Sequence, residues 1–525
     1  MRTSVDNKQP ASNVEDPRSE TAMLHTLDER ILELSHQSPP FYRNRNLLRL
    51  YLLIIPGCLV PAITLGFDSA MMNGLQAVPT WDTYFGKPRG AILGILNAII
   101  ALGCICATPF ISMVGDRHGR RMGIFTGAII MLIGGIIQGA SVHIGMFLVS
   151  RFILGFGLVF ANAYAPMLIA ELSHPKDRQV ATSLYQTSWY LGAVFAAWTT
   201  FGTFRIPNEW AWRIPSYLQG FPALIQAVGV WFLPESPRWQ IARGKPEMAH
   251  DFLVKYHANG DAASELVNLE YKAMRAVIEA EVNNETGWKT LLATPGNRRR
   301  VLTLVLLGLF SQWSGNGLVS YYLARVLETV GIKDASTQNI INGCLMIFNW
   351  MTSVCSAFAT AKLKRRTQFL TSAIGMLAVF SVQTLCAGLF NERGNRAAAH
   401  AVIAMLFIFY FFYNLAFNAL LYSYPVEILP YPIRAKGFSI LMFFGKAAVF
   451  VNVFLNPIGM QALGWKYYGV YVGVLAVEVV LIWKLFVETK GPSLEAIAAR
   501  FDGDKTAVDS ETLTKDLTRD EKETA

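Results

Sequence analysis

Long apolar stretches separated by short polar ones set the pattern of this chain. Twelve of them cover residues 52–75, 91–114, 122–140, 145–170, 181–202, 215–234, 301–323, 338–360, 368–390, 400–424, 437–460 and 467–487. Each is close to the ~20 apolar residues that a helix rising about 1.5 Å per residue needs to cross a hydrocarbon core. The pattern predicts an all-α membrane protein with twelve transmembrane helices. One polar stretch, 235–300, is much longer than the others and helix-prone, as in "ASELVNLEYKAMRAVIEAEVNNE". It divides the spans into six and six, and its helices are expected to pack under the bundle. The expected units are a tail over 1–50, a six-helix half over 51–234, the helical loop 235–300, a second six-helix half over 301–487 and a tail over 488–525.

Lysine and arginine give the orientation. Loops after even-numbered spans carry Arg117, Arg120 and Arg121, then Lys176 and Arg178, then Arg238, Arg243 and Lys245. Later loops of the same parity carry Lys362, Lys364, Arg365 and Arg366, then Arg434 and Lys436. Loops after odd-numbered spans are thinner, so both termini are expected in the cytosol. The first 50 residues are polar and mixed in charge, which reads as a disordered tail without a cleavable signal.

Composition agrees with a polytopic membrane protein: 53% of residues are hydrophobic and 16% charged. The net charge of +9 falls in the short loops, so it is read as membrane orientation and not as a nucleic-acid footprint. All six cysteines lie in apolar runs without a CxxC pair. They are expected to be buried, inert thiols, with no zinc site or disulfide framework. Nothing in the sequence resembles a nucleophile triad, a phosphate loop or a metal cluster, so an enzyme is not expected.

The halves echo each other. Glu171 and Glu427 follow spans 4 and 10, Glu235 and Glu488 follow spans 6 and 12, and Arg120-Arg121 and Arg365-Arg366 follow spans 2 and 8. Recurrence at an offset of about 250 residues implies a duplicated six-helix unit. "GDRHGRR" at 115–121 joins spans 2 and 3, where glycines permit a tight turn and Asp116 and the arginines can bond helix ends. This loop resembles the signature loop of the major facilitator superfamily. Its counterpart "AKLKRR" at 361–366 departs from the pattern at Ala361 and Lys364. "RFILGFG" at 151–157, "PESPRW" at 234–239, "YPVEILPYPIRAKG" at 424–437 and "VETKGPSLE" at 487–495 narrow the resemblance to the sugar porter family.

That resemblance implies a conformational latch of loop charges: Asp116, Arg117, Arg120, Arg121, Glu171, Glu235, Arg238, Arg365, Arg366, Glu427, Arg434 and Glu488. Glu171 is expected to pair with Arg121, and Glu427 with Arg365 or Arg366, bridging helix ends between the domain halves. The alternative is solvated charge of little energetic weight.

One carboxylate stands inside an apolar run. Asp68, in "TLGFDSAMMNG", comes about 16 residues into span 1, or roughly 24 Å. Arg151 comes about 6 residues into span 4, which runs the other way, or roughly 9 Å. Both fall in the outer half of the bilayer at similar depth. An intramembrane charge is costly unless paired or hydrated, so the two are expected partners. A carboxylate facing a cavity can take up a proton and change the balance between gate states. In the sugar porters, the resemblance implies, proton symporters carry an aspartate here. The alternative is an interfacial aspartate capping the end of span 1.

Sugars are held by amides, which donate and accept at once, and by aromatic faces. Gln186 in "SLYQTSWYLG" matches the family's span-5 glutamine. "SQWSGNGLVSYY" at 311–322 resembles its span-7 pattern in part, with Gln312 kept, Ser311 and Gly317 changed, and Asn316 one residue early. Gln312 and Asn316 are expected on one helix face. Tyr321 and Tyr322 fall at the family's outer gate, Tyr422 near its span-10 cavity aromatic, and Asn452 and Asn456 add amides in span 11. The alternative for each polar group is interhelical bonding. The span-7 variant resembles the fungal lactose-permease and cellodextrin-type branch.

The expected function is a proton-coupled sugar transporter working by alternating access, monomeric and at the plasma membrane, with the proton as its coupling ion and no other cofactor. A carrier of a non-sugar metabolite, or a non-transporting sugar receptor, uses the same scaffold.

Overall fold

The computed structural model describes residues 30–283, 288–360, 363–429, 431–490 and 501. Its apolar stretches form twelve helical rods. The first six are α1 (Arg45–Gln76), α2 (Gly90–His118), α3 (Arg120–Gly139), α4 (Ile144–Leu172), α5 (Arg178–Thr203) and α6 (Trp210–Leu218 continued by Gly220–Gly229). The second six are α7 (Pro295–Trp313 and Asn316–Thr329), α8 (Ala335–Thr360), α9 (Arg365–Arg393), α10 (Arg396–Tyr413, ending in Ser423–Ile428), α11 (Tyr431–Leu463) and α12 (Tyr467–Leu485).

Among the described residues, nine stretches are long and apolar enough to cross a membrane. One of the nine, Lys436–Leu485, holds most of α11 and all of α12. The rods α5 and α6 are not among them: α5 carries polar residues such as Gln186, Thr187 and Ser188, and α6 is divided at Gln219.

Packing repeats between the halves. In the first, α1 lies on α5 and α3 on α4; in the second, α7 lies on α11 and α9 on α10. The halves meet where α2 packs on α11 and α5 on α8, related contacts of a duplicated unit. Small residues allow the closest approaches, as interfaces between membrane helices require.

The loop between the halves carries helices at Pro237–Ala242, Pro246–Tyr256 and Glu265–Asn283. They dock beneath the first half on the face that carries the basic loops, called the basic face below. Glu270 is the pin. It accepts from His257 at 2.8 Å and lies 3.6 Å from Arg178 at the start of α5. Burial alone pushes the Glu270 carboxyl up, but His257 and Arg178 outweigh it and hold the group below the usual carboxylate range. His174 beside it is pushed down to about 4, first by burial and then by the neighbouring His257.

Two expectations change here. The first tail does not run disordered to residue 50. Residues 30–37 are helical and Ile31 is buried against Leu266 and Ala273, because this segment finds an apolar partner in the loop helices. Residues 1–29 and 502–525 lie outside the described residues. The cysteines are free but not uniformly buried: Cys106, Cys344 and Cys355 are exposed on the protein surface. An apolar run in a membrane shelters side chains in lipid as well as in protein.

Candidate functional site

Asp68 sits eight residues before the end of α1, so it lies within the helix and does not cap it. Its side chain points into the first half. Oδ1 accepts from Arg151 Nη1 at 3.1 Å and from Gln219 Nε2 at 2.8 Å, and Oδ2 lies 3.5 Å from Arg151 Nη2. Arg151 is 0% exposed and Asp68 is 4% exposed, so this is a buried ion pair and water screens little of it. Among the described residues Arg151 Nε has no hydrogen-bond partner, so the pair is incompletely satisfied there. On the face opposite the basic loops an aromatic plug covers it: Trp81, Phe85, Phe147 and Trp212 pack ring against ring, and Trp81 and Trp212 are wholly buried.

The halves are joined on that same opposite face. Asn73 of α1 donates through Nδ2 to the Ser320 carbonyl and accepts through Oδ1 from the Leu323 amide at 3.0 Å. Gln76 donates to the Tyr321 carbonyl at 2.7 Å, and Asp82 lies 3.5 Å from Arg325. These bonds are available because α7 leaves helical geometry at Tyr322 (φ −134°, ψ 25°), freeing backbone groups that the α1 amides then satisfy. The Tyr322 hydroxyl donates to the Val453 carbonyl at 2.7 Å. Deeper in the bundle, the Tyr190 hydroxyl of α5 donates to Asn414 of α10. These bonds between the halves close the bundle on the face opposite the basic loops.

Loss of that closure is measurable. Asn73→Ala removes two bonds and strands the Leu323 amide, at about 1 kcal/mol or more for each bond. The closed population should fall about five- to thirtyfold relative to the open one. Thiol labelling of Ser320→Cys should then rise in the Asn73→Ala background. Equal labelling rates in both backgrounds would mean the amide does not hold the gate.

The candidate sugar ligands divide into two groups. Gln186 is half-buried on α5 and, among the described residues, its side chain has no hydrogen-bond partner. The Gln312 side chain is half-buried and, among the described residues, makes only a long 3.4 Å contact to Ser311. Tyr321 and Tyr422 are also half-buried. The others are engaged with protein. Asn452 donates to the Gln312 carbonyl and accepts from Tyr471 at 2.8 Å, which ties α11 to α7 and α12. Asn456 accepts from Tyr467 at 3.1 Å. Asn316 donates to Tyr413 at 3.2 Å and accepts from Ser320 at 2.9 Å.

Gln312 and Asn316 do not share one continuous helix face as the i, i+4 spacing predicts. Gly315 has φ +101°, a left-handed conformation that glycine adopts without strain, and it breaks α7 between them.

The loop charges form two equivalent clusters. Glu235 accepts from the backbone amides of Arg120 at 3.0 Å and Arg121 at 3.2 Å, at the start of α3. Glu488 accepts from those of Arg365 at 2.8 Å and Arg366 at 3.1 Å, at the start of α9. Each carboxylate meets the amides and positive dipole end of a helix. Burial nevertheless raises Glu235 above the usual carboxylate range, against the pull of those amides.

Glu427 pairs with Arg365 at 3.0 Å. Glu171 pairs with Arg120 at 3.7 Å and not with Arg121, whose guanidinium turns to the Trp231 carbonyl at 2.9 Å. Both pairs join helix ends within one half, not across the halves as expected. Each of these arginines opens a helix whose neighbour in the same half ends at the glutamate. Arg117 and Arg238 make no ion pair among the described residues. The side chains of Asp116 and Arg434 lie outside the described residues.

Two charged groups were missed from sequence. Lys446 lies inside α11 and Glu478 inside α12, where it is 0% exposed and, among the described residues, neither carboxylate oxygen is bonded. The signal was the one that singled out Asp68: a charge inside an apolar run.

The family model described as "Sugar (and other) transporter" matches residues 54–501. The chain belongs to that family, the sugar porters of the major facilitator superfamily. It is 27% identical to the high-affinity glucose transporter of Kluyveromyces lactis over 87% of this chain and 86% of that protein. It is likewise 27% identical to the MFS-type transporter criB of Aspergillus cristatus over 84% of this chain and 91% of that protein. Among solved structures it matches the E. coli proton:xylose symporter XylE bound to 6-bromo-6-deoxy-D-glucose, with TM-score 0.69 and 21% identity, over 87% of this chain and 99% of that one. The inward-open conformation of XylE matches at TM-score 0.70 and 20% identity, over 86% of this chain and 99% of that one. The chain is thus a multi-pass membrane transporter and not an enzyme.

Proposed function

We propose that this transporter couples uptake of a sugar to proton entry by alternating access, as a monomer in the plasma membrane with the basic face and both termini in the cytosol. The observation that carries the reading is the buried Asp68–Arg151 pair with Gln219 as third partner. A carboxylate held by one cation in a low-dielectric site changes its interactions strongly on taking a proton. It lies on α1, the same helix whose Asn73 and Gln76 close the outer face, so its protonation can bias the gate through one rigid element. The loop glutamates and arginines on the basic face tie helix ends within each half, so they keep each half rigid while the halves rock. Gln186 and Gln312 are the amides left to meet sugar hydroxyls.

Uptake of labelled hexose into proteoliposomes, with and without an inward proton gradient, tests the reading. Gln186→Ala or Gln312→Ala should each raise the half-saturation concentration about fivefold or more, from loss of hydrogen bonds worth ~1 kcal/mol. Unchanged saturation at normal reconstitution levels would remove those amides from the sugar site.

A further inference from the structure

Lys446 stands 10 residues beyond Lys436, the start of the apolar stretch that holds most of α11, or about 15 Å into a core of about 30 Å. That is mid-membrane, and Gln186 and Gln312 reach comparable depth from the same face. Its side chain is half-buried. It lies on the rod that packs on α2 across the seam between the halves, and beside it the Gly445 backbone meets Gly308 and the Ala448 carbonyl accepts from Trp313 Nε1 of α7 at 3.2 Å.

Among the described residues no carboxylate pairs with it. Among the described residues Lys446 makes no hydrogen bond and no ion pair. Asp68 is committed to Arg151 and Gln219. Glu478 is buried in α12 and makes no ion pair among the described residues. A cation at the bilayer midplane is expensive unless it is paired or faces a water-filled cavity, and such residues mark substrate pathways. The lysine ammonium offers three donors and no acceptor, which suits an anion, whereas the neighbouring amides and tyrosines suit hydroxyls.

Resting on the reading of this chain as a sugar transporter, we propose that its substrate is a sugar acid, a polyhydroxylated solute with one carboxylate, and that Lys446 binds the carboxylate. The hydroxyls then face Gln186, Gln312 and the tyrosines. The substrate's negative charge replaces the missing counter-ion, so the loaded carrier is relieved of an unpaired charge that the empty one keeps hydrated. That favours closure around an acid over closure around a neutral sugar.

The test uses the full-length protein in proteoliposomes with labelled D-glucuronate and labelled D-glucose. Wild type should take up glucuronate, with unlabelled gluconate competing. Lys446→Gln should raise the glucuronate half-saturation concentration at least tenfold, the scale of a charge-assisted bond. Lys446→Arg should keep uptake near wild type. If glucose enters but neither acid is carried or competes, the assignment to sugar acids is wrong while the sugar-transport reading stands. If neither glucose nor the acids move, both readings fall together. Should Lys446→Gln fail to fold, the competition of glucuronate against glucose on wild type decides alone.

Discussion

Asp68→Asn is expected to abolish uphill accumulation while leaving exchange of substrate across the membrane intact. In a one-to-one symporter each pH unit across the membrane is worth ~1.4 kcal/mol, a tenfold concentration ratio. Wild type under a one-unit gradient should therefore approach a tenfold accumulation, and the variant should stop at equality. The amide keeps the size of the carboxylate, and its oxygen can still accept from Gln219 and Arg151. It cannot ionise, and it leaves Arg151 as an uncompensated cation that is 0% exposed. Removing one partner of a buried pair costs about 3–5 kcal/mol, so the variant should also favour whichever conformation hydrates Arg151. The measurement is substrate-induced alkalinisation of the outer medium together with counterflow. A variant that still moves protons with substrate and still accumulates it would take Asp68 out of the coupling step.

What the sequence carried of this site depended on which interactions are set by position along a helix. Asp68 and Arg151 were readable as partners because depth is a one-dimensional quantity, and the cost of an unpaired charge at that depth leaves few alternatives. Gln219 was not readable: it sits at the division of α6, and only three-dimensional packing brings that break beside α1. The duplication was legible in the loop acids, and the two clusters at the starts of α3 and α9 are geometrically alike. The partner of Glu171 was not, because Arg120 and Arg121 are adjacent and differ only in which way the first turn of α3 points them. Asn452 shows the limit for amides. Its type and span fit a sugar ligand, yet both its atoms are used to hold α7 and α12. Amide chemistry serves ligand and scaffold equally, and sequence does not say which neighbour arrives. Lys446 and Glu478 were legible by the same rule as Asp68.

Gly66→Leu is expected to prevent assembly of the first half, with a folded yield at least tenfold below wild type. Two residues before Asp68, α1 passes directly over α5. A side chain on Gly66 would overlap the Trp189 carbonyl oxygen, and one on Gly192 of α5 would overlap the Ile63 carbonyl oxygen. The two glycines face each other across a backbone-to-backbone contact, and neither obstacle is a flexible side chain that can swing away. Overpacking costs about 1–3 kcal/mol when side chains can adjust and more when backbone must move. Gly66→Ala should therefore lower the melting temperature, and leucine should exceed what the half can tolerate. The contact also fixes the register of α1 on α5. It sets where Asp68 stands relative to Arg151 and how Gln186 faces the seam, so an alanine variant that folds should accumulate substrate less well than wild type. Gly473→Ala in α12 is the control, because a side chain there meets nothing within 4 Å. Size-exclusion profiles and melting curves in detergent measure both variants. A monodisperse Gly66→Leu protein melting with wild type would show that α1 and α5 do not touch at this point.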